Sequence, residues 1–294
     1  MKVAILSAGQ GWHTQELQRA LEARRHVWTI LPITGMRAKL GEPRHKPETI
    51  ASRGIDLAEF EVILIRIIPR GSLEQIIFRM DALHLLERRG VRVINRARTI
   101  ERTVDKFFTS GLLEQAGLLT PRTVVCERSV DALEAFTALG GDVIVKPLFG
   151  SMGLGLARIE HEEVAYRVFK ALELERAVYY VQETIPHAGR DIRTFVLGGR
   201  VVAAMERRAD GWRTNVARGA QVRPLRLNSA QEELCRRAAQ VVEADYVGID
   251  LLPATNGELY VLEVNGIPGW QGLQSTTGLD LATEIVTYLE TVRG

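Results

Sequence analysis

The chain has 294 residues, of which 46% are hydrophobic and 25% charged, and its formal net charge is +2. That length suits roughly two ordinary domains or three small lobes, and the near-even charge balance gives no strong pull toward nucleic acid or a membrane surface. No apolar stretch approaches the roughly 18 residues that a membrane span needs.

In chain order, the first hundred residues alternate apolar runs with amphipathic stretches. Residues 3–7 read as a strand, 14–23 as a helix, 27–31 and 62–67 as strands, 73–88 as a helix and 91–94 as a strand. Such alternation predicts a mostly parallel sheet with helices on its faces. Gly9 and Gly11 make only a partial GxG, because the third glycine of a dinucleotide fingerprint is missing. The opening MKVAILSAGQ is a strand and loop rather than a signal peptide. From about Arg98 the character changes. Residues 106–115 read as a short helix closed by Gly117, followed by a strand at 122–125, a helix at 131–139 and strands at 143–146, 156–159 and 178–182. Glu183-Thr184-Ile185-Pro186 reads as a connector between lobes. The last third is strand-rich: 192–197 and 200–207 flank the two-residue hairpin turn Gly198-Gly199. A helix at 229–244, strands at 247–252 and 259–264 and a helix at 281–292 complete the chain. Cys126 and Cys235 lie far apart outside any CxxC pattern, as expected of reduced thiols in a cytoplasmic protein.

The most chemical stretch lies near the C-terminal end. Glu263 and Asn265 are two residues apart, so on a strand they share a face. Asn256-Gly257 is a hairpin signal, and centring the turn there sets Asp250 opposite Glu263, close enough for both carboxylates to touch one ion. Pro253 cannot donate to the ladder, so a wider loop is also open. Ile249, Leu251, Leu262 and Val264 face the other way. An Asp, a Glu and an Asn on one face are hard oxygen ligands of the kind that suit Mg²⁺ or Mn²⁺ with phosphates and water. A solvent-facing edge hairpin is the alternative.

Only six of the 38 basic residues are lysines, so a lysine in a candidate site is informative: it offers a compact point charge where arginine offers a planar fork. Lys146 opens the glycine-rich loop that runs through Gly150, Gly153 and Gly155, whose backbone N–H groups are suited to phosphate oxygens. No GKS or GKT follows, so the loop is not a P-loop. Lys146 and Lys106 are the candidate phosphate contacts.

At this point the sequence resembles the ATP-grasp superfamily and, within it, the RimK-like amino-acid ligases. The matching strings are Val104-Asp105-Lys106, Val145-Lys146, GSMGLG at 150–155, VQE at 181–183, and Asp191-Ile192-Arg193-Thr194-Phe195-Val196. The Gly198-Gly199 hairpin, Arg213-Thr214-Asn215, Ala217-Arg218-Gly219, Gly248-Ile249-Asp250 and EVNGIPGWQGLQSTTG at 263–278 continue the series in collinear order. The resemblance implies an α/β protein with the ATP-grasp fold, behind an N-terminal Rossmann-like pre-ATP-grasp domain. The expected divisions are residues 1–96, a central lobe at 97–182 and a C-terminal lobe with the metal site at 183–294.

Carried over by motif, Lys106, Lys146, Ser151, Met152 and Gly153 contact phosphates, and Glu183, Thr184 and Ile185 form the adenine hinge. Asp191 binds ribose or positions the site. Asp250, Glu263 and Asn265 hold two Mg²⁺ or Mn²⁺ ions. Arg193, Arg213, Asn215 and Arg218 face the phosphates and the carboxylate substrate, with Arg218, Lys146 and Asn215 catalytic. Ser275 and Thr276 lie on the substrate side. Trp270 either packs its loop, as Trp12 does, or lines the acceptor pocket and stacks on a flat group such as a pterin. The chain has Asn265-Gly266-Ile267 where ribosomal-protein-modifying relatives read Asn-Ser-Ser, and it carries Trp270 where they have a smaller residue. These departures leave the ATP chemistry intact and bear on the acceptor.

The implied reaction is activation of a carboxylate by γ-phosphoryl transfer and attack of an amine on the acyl phosphate. Such chemistry needs positioning and charge neutralisation more than a protein nucleophile. L-glutamate is the expected amine, a protein C-terminus or a pterin-type coenzyme the expected acceptor, and a homo-oligomer the expected assembly. A LysX-type ligase acting on an amino-group carrier protein, and an ATP-binding regulatory protein without turnover, are the competing readings. The six histidines are scattered and read as structural or surface residues.

Overall fold

The computed structural model describes residues 1–41, 49–150, 155–214 and 219–292. The chain first runs through β1 (Lys2–Ser7), α1 (Trp12–Ala23), β2 (Val27–Pro32), β3 (Met36–Lys39), β4 (Thr49–Ser52), β5 (Ile55–Asp56), β6 (Val62–Ile65), α2 (Leu73–Arg88) and β7 (Arg92–Ile94). Four of these strands make a parallel sheet in the order β2-β1-β6-β7. The continuous apolar run of β1 follows from burial on both faces: Val3, Ala4, Ile5 and Leu6 are all fully buried. Helix α2 starts at a capping box in which Ser72 and Gln75 satisfy each other's backbone N–H groups. β3, β4 and β5 form a small antiparallel sheet. Its strands of two to four residues are too short to show a period.

Helices α3 (Ala97–Val104) and α4 (Lys106–Gln115) lead into β8 (Thr123–Cys126), α5 (Ser129–Ala138), β9 (Val143–Lys146), β10 (Ala157–Ile159), α6 (Glu162–Leu174) and β11 (Tyr179–Glu183). The four strands pair antiparallel in the order β10-β9-β11-β8. Gly117, at φ +69°, turns the chain out of α4 in the left-handed conformation that only glycine adopts without strain. The final part comprises β12 (Arg190–Leu197), β13 (Arg200–Arg208), β14 (Gln221–Pro224), α7 (Ser229–Val241), β15 (Tyr246–Pro253), β16 (Leu259–Asn265), α8 (Gln271–Thr277) and α9 (Leu281–Thr291). Its sheet is antiparallel in the order β14-β13-β12-β15-β16. Both turn glycines of the β12–β13 hairpin have positive φ (Gly198 +56°, Gly199 +75°), as the tight turn requires.

The cores assign the segments to bodies. The middle sheet has a private core drawn from Ala132 to Val181, with Phe169 and Tyr179 at its centre. The outer two sheets share one: Val3, Ile5 and Leu64 pack with Phe195, Trp270, Leu273 and the apolar face of α9. Helices α3 and α4 ride with this shared body. Leu113 and Leu118 join the core under the five-stranded sheet, and Thr99 Oγ1 donates to Glu243 O at 2.8 Å. Among the described residues no helix is long and apolar enough to cross a membrane.

Candidate active site

The β15–β16 hairpin places Asp250 opposite Glu263, as the pairing in the sequence predicts. The route to that register differs. Pro253 pairs with Leu259, so the connection is the wider 254–258 loop rather than a two-residue turn, and a bulge between Asp250 and Leu251 makes good the one-residue difference. The Asn265 amide, turned to suit its neighbours, donates to Glu263 Oε1 at 3.2 Å and accepts from Arg193 Nη1 at 2.9 Å.

Asp250 lies between two guanidinium groups. Arg193 Nη1 donates to its Oδ2 and Arg207 Nη2 to its Oδ1, each at 3.0 Å. Burial by itself would raise the Asp250 carboxyl, but Arg193 and Arg207 pull it below the usual range. Arg207 also grips Asp191 through Nε–Oδ1 (2.6 Å) and Nη2–Oδ2 (2.7 Å). Thr214 Oγ1 donates to the same Asp191 carboxylate. Burial, outweighing Arg207, raises the Asp191 carboxyl. Asp191 has 3% of its surface exposed and holds Arg207 through both of its oxygens.

Arg207 went unseen because of a second bulge. A plain Gly198-Gly199 hairpin puts Glu206 opposite Asp191, whereas the irregularity between Phe195 and Val196 shifts the register and brings Arg207 there. Gly248 lets Arg193 pass, since a Cβ on it would lie 2.6 Å from Nη2.

Facing this hairpin, Lys146 at the end of β9 donates to Gln182 Oε1 at 2.6 Å. Gln182 Nε2 is held in turn by Thr123 Oγ1 (3.0 Å) and the Tyr180 hydroxyl (3.2 Å). Burial lowers the Lys146 ammonium to about 8 against the pull of Glu263, and Lys106 adds to the depression. Lys106 opens α4 and donates to Gly150 O at 2.8 Å. Its ammonium too is lowered by burial, opposed by Glu263 and Asp105. Both lysines, Glu183, Thr184, Ile185, Asp191, Arg213, Asp250 and Glu263 line one cleft, which the sequence-based set therefore brings together. Ile144, Leu156, Leu252 and Leu262 form its apolar part, a composition that suits a flat aromatic base beside a charged tail. Arg213 Nη2 donates across the cleft to Leu156 O at 2.5 Å.

Other expected residues lie elsewhere. Trp270 is 1% exposed and is surrounded by Trp12, His13 and Phe195, with the Arg66 guanidinium 4.5 Å above its ring. It is a core residue between the outer lobes, so the expectation that it stacks on an acceptor is corrected: no ring face is left for a ligand. His13 Nε2 accepts from Trp270 N at 3.0 Å. Burial, then Arg66, lowers its imidazole to about 4, which keeps it neutral and structural. Ser275 and Thr276 sit on α8, which packs on β13 and β14, and neither lines the cleft. Ser275 Oγ donates to Gly272 O within its own helix. Ser151, Met152, Gly153, Asn215 and Arg218 lie outside the described residues. Gly266 fits because Thr103 takes the room of a side chain: a Cβ there would meet Thr103 Oγ1 at 2.1 Å.

The RimK-like ATP-grasp domain model matches residues 103–289 and the RimK pre-ATP-grasp domain model residues 1–100. The chain belongs to the RimK-like ATP-grasp family. It is similar to the tetrahydromethanopterin:alpha-L-glutamate ligase of Methanosarcina acetivorans, with 29% identity covering 96% of each chain. It is also similar to a probable alpha-L-glutamate ligase of Hahella chejuensis, with 34% identity covering 99% of this chain and 95% of the relative. The solved structure of the ATP-grasp ligase PsnB complexed with minimal precursor, Mg and ADP shares the fold, at TM-score 0.74 and 21% identity over 99% of this chain and 97% of that one. As a RimK-like ATP-grasp protein the chain is an ATP-dependent, amide-bond-forming ligase of a family that uses ATP and Mg²⁺. Its residues fit that metal. Asp250 accepts one N–H on each oxygen, and a carboxylate has roughly four acceptor positions, so Asp250, Glu263 and Asn265 retain a set of hard oxygen donors.

Proposed function

We propose that the protein joins L-glutamate to a carboxylate acceptor, a peptide C-terminus or a pterin-type coenzyme, through an acyl phosphate. The observation that carries this reading is the convergence of Asp250 and Glu263 with Lys106 and Lys146 on one cleft. In the proposal Asp250, Glu263 and Asn265 hold two divalent ions, Mg²⁺ or Mn²⁺. When bound, these would neutralise charge that develops on the transferring phosphoryl group. Lys146, kept in place by Gln182, and Lys106 supply point charges to the cleft, one from the end of β9 and one from the start of α4. Ile144, Ile185 and Leu262 give the base its apolar bed, with Glu183 to Ile185 as the hinge, while Arg207 and Arg193 fix the Asp250 carboxylate. Arg193, Arg213 and Arg218 are proposed for the carboxylate substrate. The amine attacks the acyl carbon and inorganic phosphate leaves. The names of the relatives support glutamate as the amino acid. A cytoplasmic homo-oligomer completes the reading.

The test is incubation with ATP, Mg²⁺, L-glutamate and candidate acceptors, with ADP and phosphate measured beside product mass. Phosphate release that needs both glutamate and an acceptor is expected. ATP binding without turnover over a broad acceptor panel would overturn it.

A further inference from the structure

Asn95 follows β7 in the N-terminal lobe and is fully buried, yet its side-chain bonds reach into the C-terminal lobe. Nδ2 donates to Tyr246 O and to Gly266 O, each at 2.6 Å. Oδ1 accepts from Asp245 N at 2.8 Å and Tyr246 N at 3.1 Å. An amide offers two donors and two lone pairs, so its capacity is filled. Its orientation is also unambiguous, because the oxygen faces two N–H groups and the nitrogen two carbonyls.

The placement matters for the paired carboxylates. Tyr246 opens β15 and Gly266 follows Asn265, whose ladder partner is Gly248. Asn95 therefore ties the two strands just beyond their last rung. The other end of the hairpin gives the carboxylates little control, because the bulge between Asp250 and Leu251 separates them from the turn. Thr103 on α3 bears on the same point, where a Cβ on Gly266 would lie 2.1 Å from its Oγ1.

We propose that Asn95 is a positioning residue for divalent-metal binding: a side chain of the N-terminal lobe that holds Glu263 and Asn265 in chelating register with Asp250. The inference rests on the metal reading above. Partners that orient metal ligands from behind change metal affinity by about 10–100-fold when removed, and Asn95 acts one residue from Asn265.

Mn²⁺ binding in the presence of ADP, followed by electron paramagnetic resonance, tests it beside metal-free ADP binding by calorimetry. Asn95→Asp, which removes at least one of the two donations, is expected to weaken Mn²⁺ about tenfold or more while metal-free ADP affinity changes less than twofold. A folded Asn95→Asp protein with wild-type Mn²⁺ affinity would overturn the proposal. Where Asn95 variants fail to fold, Gly266→Ala decides. Weakened Mn²⁺ that Thr103→Ala partly restores supports the clamp, and unchanged Mn²⁺ removes it. A wild-type protein that binds no Mn²⁺ with ADP defeats the metal reading itself, a result distinct from failure of the clamp alone.

Discussion

The middle sheet and the two outer lobes are stabilised in different ways. The middle sheet buries its apolar residues among themselves, whereas the outer lobes meet through a common core around Trp270. The candidate phosphate-contacting lysines divide along the same line: Lys146 ends a strand of the middle sheet, and Lys106 opens a helix packed on the outer body. Polar contacts join the two, among them Ser110 Oγ to Tyr180 OH at 2.8 Å, Lys106 to Gly150 O and Arg213 to Leu156 O. A unit with a private core can shift without unpacking itself, whereas lobes that share a core cannot part without exposing it. Parting the middle sheet from the outer body would therefore break polar contacts rather than a shared core, and it would separate the two lysines.

The comparison can be strained at the cleft, within each core and at the polar contacts. The largest effect belongs to the cleft: Glu263→Gln is expected to lower kcat by about a thousandfold, several kcal/mol of lost charge stabilisation, with the melting temperature little changed. Turnover at the wild-type rate would remove the proposed metal pair from the chemistry. Next come the cores. Trp270→Ala and Phe169→Ala should each cost about 3–5 kcal/mol, but in different places. Hydrogen exchange should show faster opening in both outer lobes for Trp270→Ala and in the middle sheet alone for Phe169→Ala. Matching exchange patterns would end the two-body description.

Lys146 gives a smaller, titratable effect. Its ammonium is lowered from 10.5 to about 8 in the free protein, so it is charged below pH 8 and loses its proton above. Binding to phosphates favours the charged form, so ATP binding takes up a proton above pH 8. KM for ATP should be flat below pH 8 and rise by up to about tenfold per unit above it. Lys146→Arg should flatten the profile, because guanidinium keeps its charge. An unchanged slope would place the titration elsewhere. The smallest effect is that of Ser110→Ala. Loss of this one part-buried hydrogen bond should change stability by about 1 kcal/mol while altering KM for ATP more than kcat, as steady-state kinetics would show.

Much of this was legible because period and pairing are local. Residues 73–88 and 106–115 carry helical patterns that fold as such, and the Asp250–Glu263 pairing follows from a turn signal and strand alternation. Arg207 was hidden because a bulge, which leaves no mark in the apolar pattern of β12, exchanged it with Glu206. Trp270 was ambiguous for another reason: a tryptophan in a glycine-containing loop reads alike whether a ligand or a neighbouring lobe covers it, and here Trp12, His13 and Phe195 do. Asn95 was invisible, since its partners lie about 150 and 171 residues away and one amide has no period. The same distance problem hid the allegiance of α3 and α4, whose partner residues, Glu243 among them, come more than a hundred positions later.

The loop at 254–258 supplies a practical handle. Because the slip in strand pairing lies between that tip and Asp250, a graft of extra residues at Asn256-Gly257 would be taken up by the outer rungs before it reached the acidic pair. A fluorescent label carried there would sit on the far side of the hairpin from the Asn95 amide and could report lobe motion from a working enzyme.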